Sequence, residues 1–287
     1  MRINKTIPTF AAACFLGAAV SFAQIKSPAA SPFSELEQVV GVTNFTVEYS
    51  RPGVKGRKIY GGLVPYDEIW RTGANATTKI AFDSAVTFEG KTVPAGKYVL
   101  FTIPGKDEWT VILYGDVDVP NAAAYDSGND VARLAIKPVE LAEAVESFTI
   151  GFDDLRDESA TLFLDWANLR VPVAISVDTT ALTAASIQSA LSDIDAWSAG
   201  DFADAAEFYH ETGKDREQAL EWMEKAVSMN PNAFWWQHAY ARMLADHGKT
   251  EEAIAAAELS LKTAKASSSG DSGYIARNEA LLESLRE

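Results

Sequence analysis

The sequence is poor in the residues that soft-ligand and nucleophilic chemistry needs. It holds one cysteine, Cys14, and three histidines, His210, His238 and His247, among 287 residues. Cys14 lies in an N-terminal stretch that reads as removable. The expected mature chain then has no thiol, which excludes disulfides, cysteine nucleophiles and thiolate metal sites. All three histidines fall in the last third of the chain, so no Ser-His-Asp triad can form from the segments before them. Long apolar runs are equally scarce. The one such run, residues 7–20, follows Arg2 and Lys5 and precedes Ser21-Phe22-Ala23. A basic start, an apolar middle and a small-residue end are the parts of a secretory signal, and the run is too short for a comfortable transmembrane span. The expectation is a signal peptide over residues 1–23. The mature protein would be exported, to the periplasm or the cell exterior, without membrane insertion. A lipoprotein reading of Cys14 fits less well, because Ala11-Ala12-Ala13 lacks the usual large apolar residue.

Positive charge is the third scarcity. The net charge is −15, and losing Arg2 and Lys5 leaves 23 basic against 40 acidic residues. Acid dominates both before and after residue 178, which argues against nucleic acid or anionic membrane as a partner.

What is present divides by period. Residues 45–178 read as short strands rich in β-branched and aromatic residues. Val99, Phe101 and Ile103 alternate as an inward face, as do Phe148, Ile150 and Phe152, and Leu162, Leu164 and Trp166. Glu89-Gly90 and Pro94-Ala95-Gly96 supply turns. About ten strands with no helix between them predict an antiparallel β-sandwich, led in by a segment and first strand over residues 24–44. From Thr179 to Glu287 the period becomes helical. Gly213, Ala219, Ala226 and Pro231 are echoed by Gly248, Ala253 and Ser260. That spacing looks like tetratricopeptide hairpins, with helices near 181–195 and 273–285 capping the stack.

Three motifs run in order: residues 51–75, RPGVKGRKIYGGLVPYDEIWRTGAN; residues 94–104, PAGKYVLFTIP; and residues 107–112, DEWTVI. Together they resemble a family of exported bacterial proteins catalogued as domain of unknown function 2911. The resemblance covers residues 26–177 and implies no activity, cofactor or site residue. This chain carries Ala76 where relatives have an acidic residue after Arg-Thr-Gly-Ala-Asn.

The first motif poses the functional question. Arg51, Lys55, Arg57 and Lys58 crowd together with no acid between them, and Trp70, Arg71 and Asn75 follow. A guanidinium offers a planar fork for carboxylate, phosphate or sulfate, and an indole face suits a sugar ring. One reading makes Arg51, Lys55, Arg57, Trp70, Arg71 and Asn75 a binding site for an anionic or sugar-like small ligand. A second makes them internal braces, with Arg51 and Arg71 paired to acids such as Glu48 or Asp83. Asp67 and Glu68 are poor catalytic partners, since neighbours on a strand point opposite ways. The Asp153, Asp154, Asp157 and Glu158 group reads as a solvated turn rather than a calcium loop. Glycine-rich phosphate loops, a metal site and a cofactor motif are not expected. Trp235-Trp236 is a second candidate surface: adjacent helical residues point about 100° apart, so one can face a protein partner or the sandwich. The expectation is a non-catalytic binding protein. The alternatives are a carbohydrate-active hydrolase using strand carboxylates, and a structural protein docking partners through its helices.

Overall fold

The computed structural model describes residues 27–287; the signal-peptide expectation for residues 1–23, Cys14 included, lies outside the described residues. Ten strands come first: β1 (Phe33–Val40), β2 (Thr43–Ser50), β3 (Thr78–Phe82), β4 (Val86–Phe88), β5 (Lys91–Val93), β6 (Gly96–Ile103), β7 (Trp109–Tyr114), β8 (Asp130–Ile136), β9 (Val139–Asp153) and β10 (Ser159–Val177). They form two antiparallel sheets, ordered β1-β2-β3-β6-β7-β8 and β5-β4-β10-β9. The sandwich is therefore present, and its core lies between the sheets. Phe45, Trp109, Phe148 and Trp166 are each 1% exposed there, among a continuous set of buried Val, Ile, Leu and aromatic residues.

Local chemistry explains the hairpins. Glu89 and Gly90 both take positive φ, the mirror-image turn whose twist matches the β4 and β5 ladder. In β10 the phase of burial changes. Ala160, Leu162, Leu164 and Trp166 face inward, then Val171, Val173, Ile175 and Val177 do. Even numbers give way to odd because the ladder with β9 shifts register around Ala167, which sits at φ 51. A residue that leaves the extended conformation inverts the facing of every later side chain. One long strand thus serves the core along its whole length.

One alternation faces the other way. Val99 and Phe101 lie on the outer face of the six-stranded sheet, with Ile112 and Tyr114, while Tyr98 and Leu100 face the second sheet. The outer cluster is covered by Val119, Ala122 and Tyr125 from the segment between β7 and β8, and by Ile69. Both faces of β6 and β7 are buried, so apolar alternation alone did not identify the core face.

Six helices follow: α1 (Thr179–Ala190), α2 (Ala199–Thr212), α3 (Arg216–Met229), α4 (Phe234–Asp246), α5 (Thr250–Ala266) and α6 (Tyr274–Arg286). A 3₁₀ stretch, Leu191–Ala196, turns the chain between α1 and α2. Ser198 and Asp201 cap α2 reciprocally, and Asp215 caps α3. Gly213 and Gly248, at φ 68 and 73, make the turns of the α2–α3 and α4–α5 pairs. Ala219, Ala226, Ala253 and Ser260 are all fully buried where helices approach closely. None of these helices is long and apolar enough to cross a membrane. Sandwich and helices meet near the β1–β2 turn, where the Thr179 hydroxyl donates to the Asp157 carbonyl and packs against Gly41.

Candidate functional site

The cationic motif is the long connection between β2 and β3. Its first part pairs with β9: Val54 N donates to Glu146 O at 2.7 Å, and Phe148 N donates to Pro52 O at 2.9 Å. Its last part pairs with β6, where Trp70 and Thr102 exchange backbone bonds of 2.7 and 3.0 Å. The connection therefore bridges the two sheets. Ile59, Tyr60 and Val64 enter the core between those anchor points. Tyr60 donates its hydroxyl to Trp166 O at 3.3 Å, and burial, then Asp165, pushes that phenol well above the ordinary range.

The cations follow the backbone. Arg51 donates Nε to Phe148 O at 3.0 Å and a terminal nitrogen to Thr149 Oγ1 at 2.7 Å. Arg57 folds back onto Val54 O and Gly53 O. Lys55 reaches Ala30 O at 3.1 Å, and its own N–H donates to Glu146 Oε1 at 2.9 Å. Arg71 donates to the Asn75 carbonyl, while the Asn75 amide donates to Ser31 O at 3.1 Å and Ser50 Oγ at 3.2 Å. Gly73, at φ 150, holds a backbone conformation that side-chain-bearing residues rarely adopt, and a Cβ there would meet Thr78 Oγ1 and Ser50 O tightly, at 3.0 and 3.1 Å. Trp70 belongs to an aromatic cluster. It stacks on Trp166 at 5.8 Å and 15°, and meets Trp109 and Phe148 edge-on.

The proposed ligand side chains thus divide among three places. Arg51 holds β9, Arg57 and Lys55 hold their own loop and the segment before β1, and Arg71 with Asn75 holds the loop's end. The acids named as partners are engaged elsewhere: Glu48 by Lys97 at 2.5 Å, and Asp83 by Asn44. Asp67 and Glu68 sit in an exposed turn rather than on a strand, with Asp67 at φ 64. Three acids of β9, β10 and their turn are also occupied. Arg170 bridges Asp153 and Asp165 at 2.7 and 2.8 Å, and Glu158 accepts the Thr180 hydroxyl.

In the helical half, Trp236 packs partly buried on the α2–α3 cluster, and Trp235 is 42% exposed beside Phe234. Two histidines of this half have separate partners: His238 Nδ1 lies 2.9 Å from Asn278 Oδ1, and His247 Nε2 lies 3.0 Å from Arg216 O.

Sequence reasoning missed a cavity of about 520 Å³ between α1, α2 and Val42 of the β1–β2 turn. Leu182, Ile187 and Trp197 give it apolar walls, and Asp193, Asp201 and Asp204 add carboxylates. Burial, then the Asp201 charge, raises the Asp204 pKa above its usual value, even though its side chain keeps solvent contact. Asp201 is held low by its bonds to Ser198. The legible signal was the Ser198-to-Asp201 cap, which marks a helix start. The hollow itself comes from the bend at residues 191–196 and carries no local signature.

A family model described as protein of unknown function (DUF2911) matches residues 31–175, from just before β1 to near the end of β10. No curated protein matches the chain.

Proposed function

The chain belongs to that family of unknown function, and from this premise we propose that it is an exported, non-catalytic binding protein of the bacterial cell envelope. The sandwich is its scaffold, and the helical half docks a partner. The observation that carries this reading is the junction cavity: apolar walls of Leu182, Ile187 and Trp197 beside Asp193, Asp201 and Asp204. A concave apolar site with a few convergent charges is the usual form of a recognition pocket. Three carboxylates select a basic partner segment that also carries an apolar side chain. The residue 2–23 pattern supports export. The Gly213–Ala219–Ala226 and Gly248–Ala253–Ser260 spacings support tetratricopeptide-like hairpins. The Arg51–Asn75 connection acts in this reading as the brace that joins the two sheets, because its guanidiniums are directed at main-chain carbonyls.

The test is a titration of the mature chain with labelled Leu-Lys and Leu-Glu peptides of equal length. The basic peptide should bind and weaken with salt, and Asp204→Asn should weaken it at least fivefold while the protein stays folded. Equal binding of the acidic peptide, or an unchanged affinity in Asp204→Asn, would refute the reading.

A further inference from the structure

Each sheet of the sandwich has two edges, and they are finished differently. β5 is only three residues long. β8 is met by Lys91, whose Nζ donates to Arg133 O at 2.6 Å. β9 is bridged by the β2–β3 connection, through the Val54 and Phe148 amides. Short length, an inserted lysine and a covering loop are usual ways to close an edge. β1 has none of these. It runs eight residues, FSELEQVV, and β2 is its only neighbour in the sheet. The two-residue turn Gly41-Val42 makes Val40 and Thr43 a hydrogen-bonded pair, and Arg51 N donates to Pro32 O in the same phase. Even-numbered residues of β1 therefore bond to β2, while Phe33, Glu35, Glu37 and Val39 turn their main-chain groups outward. Of those groups, only the Val39 carbonyl has a partner among the described residues, the Gln38 side chain at 2.8 Å.

The side chains of the same four residues specify what fits. All four are exposed, Phe33 at 64% and Val39 at 51%, whereas Leu36 and Val40 pack into the core. The outward row reads apolar, acid, acid, apolar. Glu48, opposite Glu35 in the ladder, is paired to Lys97, but neither Glu35 nor Glu37 enters an ion pair among the described residues. A hollow of about 510 Å³ lies against Glu37, Val39, Asn44 and Thr46, which leaves that end of the edge open to approach. A second copy of the chain is a poor occupant. Two β1 strands paired antiparallel about Leu36 would set Glu35 against Glu37 twice, and directly opposed like charges destabilise a ladder. Basic side chains at the same positions would attract instead. We propose that β1 is a docking edge for an extended basic segment of another protein. That segment adds to the six-stranded sheet as a further antiparallel strand, and sets the pattern apolar-x-basic-x-basic-x-apolar against Phe33, Glu35, Glu37 and Val39. Main-chain bonds supply the attachment and the two glutamates the choice of partner. The edge is independent of the junction cavity and stands whether or not that one is occupied.

The probe is a labelled peptide, Thr-Val-Thr-Lys-Thr-Lys-Thr-Val-Thr, titrated into the mature chain at pH 7 by fluorescence anisotropy. It should bind, and the same peptide with Glu in place of Lys should not bind measurably. N-methylation reads the main-chain pairing. Methyl groups on the two lysine amides, which face β1, should weaken binding about tenfold or more. Methyl groups on two of the threonine amides, which face away, should leave it within about twofold, a distinction that general attraction to an acidic protein would not make. In the protein, Glu35→Gln combined with Glu37→Gln should weaken binding several-fold. Glu37→Pro removes an outward N–H and spares the ladder with β2, so it should abolish binding with little change in melting temperature. Asp204→Asn should leave the affinity unchanged, which separates this edge from the junction. Four results would overturn the proposal: no binding, equal binding of the acidic peptide, full affinity in the peptide methylated at its lysine amides, or loss of binding in Asp204→Asn. A chain dimeric at pH 7 that Glu37→Pro renders monomeric would overturn it too, by making a second copy the occupant.

Discussion

The two halves of the molecule are packed from different materials. Between the sheets, contact is made by large side chains: Phe45, Phe88, Trp109, Phe148 and Trp166 are each at most 1% exposed. Between the helices small ones join them: Ala203, Ala206, Ala219, Ala226, Ala241, Ala253 and Ala257 are all fully buried, beside a cluster of Trp197, Phe202, Tyr209 and Trp222. Sheets pack about 10 Å apart, and only long or aromatic side chains fill that gap. Helices can approach until backbones nearly touch, and alanine permits it. Cylinders that touch along lines leave crevices beside those lines. One hollow lies between α1, α2 and the β1–β2 turn and another, of about 330 Å³, among α3, α4 and α5, while the aromatic layer between the sheets is closed. The difference teaches that in this protein hollows open beside helices that small residues draw together, whereas large residues fill the slab between the sheets.

Substitutions can break that contrast. The largest effect is expected in the sandwich, from Trp166→Ala. It removes a fully buried indole that stacks on Trp70 and packs against Phe148. The loss should be about 3–5 kcal/mol, from transfer plus cavity terms. Calorimetry should show the sandwich transition falling by many degrees, and equal loss in a helical transition would merge the two halves into one cooperative unit. The opposite change should harm the helices. Ala226→Leu adds bulk at a 0%-exposed contact, and overpacking should cost about 1–3 kcal/mol. Helical circular dichroism should then melt earlier than strand signals. An unchanged melt would mean that the crevices relax to accept bulk.

The smallest effect sharpens the electrostatic side of the comparison. Burial first, then Glu211 and Asp204, raises the Glu207 carboxyl above its usual pKa, against a pull from Arg242. A raised folded-state pKa favours the native state below the unfolded value and is a liability once pH passes the folded one. Glu207→Gln should therefore raise the melting temperature slightly at pH 7, by under about 1 kcal/mol since the side chain keeps solvent contact. The gain should vanish near pH 4. A gain that persists at pH 4 would point to packing rather than charge.

Much of this organisation is decided by the sequence itself. Strand and helix periods, the Glu89-Gly90 hairpin, the Gly213 and Gly248 turns and the change of class after Val177 all depend on residues within a turn or two of one another. Such neighbours act through backbone sterics that need no tertiary context. Tertiary structure alone decided the rest. Val99 and Phe101 alternate like core residues, yet face a covering segment rather than the second sheet, because periodicity records burial and not which partner buries. Arg51 carries a charge that any acid or anion would satisfy, and it finds the Phe148 carbonyl 97 residues away. The junction hollow exists only because α1, α2 and the β1–β2 turn, distant in sequence, meet at particular distances. Charge and period are properties of a residue and its neighbours, whereas a partner or a cavity is a property of the space between segments that folding brings together.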